Sequence, residues 1–78
     1  MVPQSERRFL LALGERIRTL RRARGLSQEQ VGMRSGIHRT YISSLECGQR
    51  NVAIINLRRI AASLDVPVSA LLDFARDP

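Results

Sequence analysis

Residues 26–48 read LSQEQVGMRSGIHRTYISSLECG, and this stretch decides the fold. Ser27 and Gln30 stand three apart just before an apolar position, the spacing of a capping box, in which each side chain bonds the other's backbone N–H. Leu26 and Val31 occupy the hydrophobic-staple positions around them, so a helix starts here. Ser35-Gly36 ends it roughly two turns later. Gly32, inside this helix, costs about 1 kcal/mol relative to alanine; its presence reflects either close helix-helix approach or neutral drift.

Beyond Gly36, Ile37 is an apolar anchor and His38 takes the N-cap position, a weaker cap than Ser or Asp. The next helix spans about residues 39 to 47. At about 100° per residue, Ile42 and Leu45 share one face, while Thr40, Ser43, Ser44 and Cys47 share the opposite one. Two short helices joined by a glycine turn, the second apolar inside and polar outside, describe a helix-turn-helix over about residues 27–47. Small polar side chains flanked by Arg39 and Tyr41 can lie in a groove without steric conflict.

Upstream, Leu10, Leu13, Ile17 and Leu20 recur at three- and four-residue steps, a helical stripe that predicts a first helix over about 6–24. Arg16, Arg18, Arg21, Arg22 and Arg24 fall mostly off that stripe and read as a solvated face, with Gly25 as a left-handed C-cap. Downstream, Gly48 stops the third helix and Gln49-Arg50-Asn51 forms a polar loop. Ile54, Leu57, Ile60, Ala61 and Leu64 then define a fourth helix. Pro67 stands at the first position of a last one carrying Ala70, Leu71 and Phe74. No strand-like alternation or repeat occurs. The expectation is an all-α protein of five short helices, one domain over residues 1–78.

The 13 basic residues, all arginine, against 7 acidic ones give a net charge of +6, which suits an anionic partner such as a phosphate backbone or an acidic membrane surface. The preference for arginine also fits a G+C-rich coding sequence. One Cys and one His can supply neither an internal disulfide nor the four ligands of a structural zinc site, so no metal or cofactor is expected and a reducing cytoplasm fits. The apolar runs are too short for a membrane span, and Gly14-Glu15-Arg16 cuts short the patch that follows Glu6, Arg7 and Arg8, which argues against a signal peptide. The single histidine at a helix start, and the lack of a suggestive acidic pair or Gly-rich phosphate loop, argue against an enzyme.

The segments LRRARGLSQEQVGMRSGIHRTYISSLECGQRN (20–51) and NLRRIAASLDVPVSALL (56–72) strongly resemble the Cro/C1-type (XRE-like) DNA-binding family. The resemblance extends from about residue 13 to 72 and implies a lambda-repressor-like fold. Within it, RTYIS (39–43), with RN at 50–51, resembles the controller proteins of restriction-modification systems, which are short dimers. Arg39, Thr40 and Ser44 match base-edge positions, with Ser43 beside them. Gln28, Tyr41, Arg50 and Asn51 match or adjoin DNA-backbone positions. Tyr41 is equally suited to pack on the second helix, and Asn51 to cap the fourth. Glu46 reads as a structural ion pair or a loop-amide acceptor, and Cys47 as incidental. Three positions depart from the family pattern: Gly32 where alanine is usual, His38 where Ser or Asp is usual, and Asp65 where glycine commonly ends the fourth helix.

The resemblance implies a homodimer on double-stranded DNA, with recognition helices about 34 Å apart on a pseudo-palindromic operator. Val66, Val68, Leu71 and Phe74 are the expected dimer seam, because a small helical domain cannot readily bury all of them alone. A bound dimer either blocks a promoter or recruits RNA polymerase. The alternative is an antitoxin-type regulator that also binds a toxin protein. RNA recognition is disfavoured, since its modules rely on stacking aromatics and this chain has one Tyr and two Phe.

Overall fold

The computed structural model describes residues 3–74, which form five helices and, among those residues, no strand. The first, α1 (Gln4–Ala23), begins two residues before the spacing predicts, because Pro3 is the N-cap and its carbonyl already accepts the Arg7 N–H at 3.0 Å. The capping box opens α2 (Gln28–Ser35): Ser27 Oγ accepts from the Gln30 N–H at 3.0 Å and the Ser27 N–H donates to Gln30 Oε1 at 2.8 Å. Helix α3 (Arg39–Glu46) is capped by His38, whose Nδ1 accepts from the Thr40 N–H at 3.1 Å. Helix α4 (Ile54–Ser63) starts at Ala53 with no side-chain cap, so Asn51 does not cap it. Helix α5 (Val68–Leu71) is a single turn with Pro67 as its N-cap, one position outside the first helical residue.

Helices α1 to α4 end alike. The residue beyond the cap, or in α2 the cap itself, is left-handed, and the next N–H reaches back to close the last turn, as Leu26 to Arg21 O, Ile37 to Gly32 O, Gln49 to Ser44 O and Val66 to Ala61 O. Glycine fills that position three times, at 25, 36 and 48, and Asp65 fills it at φ +56° after α4.

Leu13, Ile17, Val31, Ile37, Ile42, Leu45, Leu57, Ile60, Ala61, Leu64 and Leu71 make one core, with Leu20, Leu26, Tyr41, Val52, Val66, Val68 and Phe74 packed around it. Fully burying a side chain of this size stabilises by about 1.5–3 kcal/mol. Helix α2 packs on α3 and α4, while α1 packs on α3 and α5. At Gly14, α1 crosses the end of α3 so closely that a Cβ would lie 2.5 Å from the carbonyl oxygens of both Leu45 and Glu46. At Gly32 a Cβ would lie 2.7 Å from the Ile37 carbonyl oxygen of the turn and 3.4 Å from the Arg39 nitrogen that opens α3, so the close approach expected there is to the turn and the start of α3.

Three expectations need correction. Leu71 is completely buried within the chain, because the one-turn α5 is pulled onto α1 and α4; it offers no surface to a dimer seam. Ile54 is 68 % exposed, since the buried stripe of α4 begins only at Leu57. The arginines of α1 are not one solvated face: Arg21 is buried, and Arg16 Nε donates to the Ala70 carbonyl at 2.9 Å, tying α1 to α5.

Candidate nucleic-acid interface

Ile42 and Leu45 are wholly buried, and this anchors α3 with its opposite side outward. Arg39 and Thr40 are exposed in the first turn of α3, and Tyr41, Ser43 and Ser44 are half-buried. Arg39 carries no ion-pair partner among the described residues, so its forked donors are available to a ligand. Ser44 Oγ donates to the Thr40 carbonyl at 2.6 Å, which commits its proton and leaves the oxygen as an acceptor.

The far end of α3 is held by an ion-pair network. The carboxylate of Glu46, with a side chain at 0 % exposure, accepts from Arg21 Nε at 2.6 Å and Arg21 Nη2 at 2.9 Å, a bidentate pair. Arg18 Nε lies 3.5 Å from the same group, and Arg21 Nη1 also donates to the Leu26 carbonyl at 2.9 Å. Burial pushes the Glu46 carboxyl upward. The hydrogen bonds from Arg21 and Gln28 and the charges of Arg21 and Arg18 outweigh it and hold the carboxyl below its ordinary value. The ion-pair reading of Glu46 is therefore the one the structure bears out.

Gln28 joins this network. Its Nε2 donates to Glu46 Oε1 at 3.0 Å, an interaction that no local sequence pattern signals because it spans 18 residues. The amide keeps one hydrogen free. Gln28 is also the first residue of α2, where the N–H groups of Gln28 and Glu29 lie outside the capping box and the helix dipole is positive. A donor fixed beside a positive helix end suits an anion.

Past α3, Arg50 and Asn51 are exposed in the loop before α4, and the Arg50 guanidinium carbon lies 4.7 Å from the centre of the Tyr41 ring. The Tyr41 ring packs at the edge of the core and lies beside that loop. Val66, Val68 and Phe74 are half-buried; Phe74 packs against Phe9 with ring centres 5.3 Å apart. Cys47 is exposed and free. No group of three or more His, Cys, Asp or Glu among the described residues is arranged to hold a metal ion, and none of the helices is long and apolar enough to cross a membrane.

An eight-residue α2, a tight turn and an eight-residue α3 with a polar outer face define a helix-turn-helix protein. The chain belongs to the HTH_3 helix-turn-helix family of DNA-binding transcription regulators, whose pattern matches residues 17–71. This bears out the resemblance to Cro/C1-type proteins. It is 40 % identical over 65 residues to control protein C.BamHI of Bacillus amyloliquefaciens, covering 82 % of this chain and 80 % of that one. Its structure is similar to that of the restriction-modification controller protein C.AhdI from Aeromonas hydrophila, with a TM-score of 0.79 and 44 % identity over 80 % of this chain and 94 % of that one. It is also similar to the biofilm regulator SinR solved in complex with DNA, with a TM-score of 0.74 and 35 % identity over 78 % of this chain and 98 % of that one. These relatives support a DNA-binding regulator and lend nothing to the antitoxin alternative.

Proposed function

We propose that this protein is a controller-type transcriptional regulator that reads duplex DNA by placing the outward face of α3 in the major groove. The observation that carries this reading is the split of α3: Ile42 and Leu45 at 0 % exposure on one side, Arg39 and Thr40 open on the other. Arg39 donates two hydrogen bonds to O6 and N7 of a guanine. Thr40 and Ser43 contact neighbouring base edges, and Ser44 accepts from a base amino group. Gln28, Arg50 and Asn51 hold phosphates on either side, which sets register without reading sequence.

The whole chain, residues 1–78, acts as one such unit and pairs as a homodimer in the cytoplasm. The support for a second copy is apolar surface: Ile54 and Ile55 are 68 % and 53 % exposed on the first turn of α4, directly after the Arg50-Asn51 loop. Ile54, Ile55 and the open parts of Val66, Val68 and Phe74 are the proposed seam. A dimer of this kind reads two half-sites about 34 Å apart, one turn of DNA. Placed over a promoter it excludes RNA polymerase, and placed upstream it recruits it.

Selection of bound duplexes from a random library, with wild type and Arg39→Ala in parallel, tests this. Wild type should return a pseudo-palindrome, and the variant should lose about 1–3 kcal/mol and preference at one position per half-site. Equal weakening on every sequence would make Arg39 a phosphate contact and remove its base-reading role.

A further inference from the structure

We infer that Tyr41 acts on DNA through Arg50: its ring is a fixed platform that holds the Arg50 guanidinium ready for a phosphate. This rests on the reading above, in which Arg50 is a backbone contact, and assigns Tyr41 the role of a positioning residue.

Tyr41 sits in the first turn of α3 and packs against the core, so its ring has a defined place. Arg50 lies in the loop that follows α3, exposed, with no carboxylate partner among the described residues. What orders its side chain is the ring, 4.7 Å from the guanidinium carbon. A guanidinium over an aromatic face is attracted by the ring quadrupole. We take the guanidinium to lie flat on the ring, which leaves its N–H donors, along its edges and in its plane, pointing away from it. The stack therefore restricts the side chain without consuming the donors a phosphate needs. A free arginine gives up rotamer entropy when it binds, and one already held on a ring gives up less.

The same geometry ties two parts of the interface together. Tyr41 adjoins Thr40 on α3, and Arg50 belongs to the loop, so the stack links the base-reading helix to a backbone contact nine residues on in the sequence. The phenolic hydroxyl has no part in this, which separates the proposal from a direct Tyr41 contact with DNA.

The test uses Tyr41→Phe, Tyr41→Leu, Arg50→Ala and the double variant Tyr41→Leu/Arg50→Ala, each checked for helical content, with affinity for the selected duplex measured across a salt series. Tyr41→Leu should weaken binding about two- to fivefold, the size of an exposed cation–π contact. Tyr41→Phe should recover most of that loss. Arg50→Ala should weaken binding and reduce the salt slope by about 0.9 per half-site, about 1.8 for a dimer that brings two copies. The double variant should bind like Arg50→Ala alone. Upfield-shifted Arg50 Hδ resonances in the free protein should return to ordinary values in Tyr41→Leu and stay shifted in Tyr41→Phe.

Two results would overturn the inference while leaving the DNA-binding reading intact: Tyr41→Phe as weak as Tyr41→Leu, which makes the hydroxyl the active group, or fully additive losses in the double variant. An Arg50→Ala variant with wild-type affinity and salt slope would overturn it too, through the Arg50 assignment. Failure of the wild type to bind any duplex would sink both, and the ring-shifted Arg50 resonances would then show that the stack exists without the function.

Discussion

Glu46 joins three helices at a single carboxylate: it belongs to α3, takes Arg21 and Arg18 from α1, and takes Gln28 from α2. Because its carboxyl is held below the ordinary value of 4.5, the folded state keeps the charge better than the unfolded chain does. The resulting stability is fully present above about pH 4.5 and is lost as pH falls through the lowered folded value. Glu46→Gln leaves Arg21 without a counter-charge in a buried site, which costs about 3–5 kcal/mol where a buried pair is broken. Urea unfolding followed from pH 6 to pH 3 should show wild type losing stability more steeply than Glu46→Gln in the acid limb. Parallel curves would mean that the carboxylate does not hold the fold. Sequence reading reached the ion pair at Glu46 but not its partners, because Arg21 lies 25 residues away and only the packing of α1 on α3 brings it close. The same distance hides the anchoring of Gln28, whose residue type and N1 position were legible and whose hydrogen bond was not.

At the scale of elements, what depended on near neighbours was legible. The Ser27/Gln30 box, the His38 cap and the glycines after α1, α2 and α3 are all set by spacings of a few residues, and the structure has each of them. Contacts between elements were not. Gly14 gave no sign of its role, which exists only because α1 passes over the terminal carbonyls of α3. The same holds for Leu71: an apolar residue in a short last helix can serve a seam or the core, and only the docking of α5 on α1 and α4 decides. Two substitutions of opposite sign follow. Gly14→Ala places a methyl 2.5 Å from two backbone oxygens that cannot rotate away. It should destabilise by about 1–3 kcal/mol of overpacking, against a helix-propensity gain near 1 kcal/mol. Asp65→Gly relieves a non-glycine left-handed residue at φ +56° and should stabilise by about 1 kcal/mol. Thermal unfolding of the two variants checks both signs. A raised Tm for Gly14→Ala would show that α1 can retreat from α3 at little cost.

Taken whole, the molecule separates its functions by region. The ion-pair network and the core keep α2 and α3 at a fixed relation, while the α3 surface and the loop after it carry Arg39 and Arg50, which have no ion-pair partner among the described residues. An excess of +6 charges suits DNA of any sequence, and in the function proposed above the small outward face of α3 distinguishes one site from another. The five-helix order and the face of α3 were readable because the apolar stripes are strict. The exposed pair Ile54 and Ile55 was not separable from the α4 stripe by periodicity, since three-residue steps admit Ile54 to it on paper.

Amide and methyl chemical-shift mapping with the library-selected duplex shows whether the outward side of α3 meets base pairs. The largest shifts should fall at Arg39, Thr40, Ser43 and Ser44, with smaller ones at Gln28, Arg50 and Asn51, and little change at the buried Ile42 and Leu45 methyls. Shifts gathered on α5 or the outer face of α1, with α3 unmoved, would contradict the base-reading role of α3.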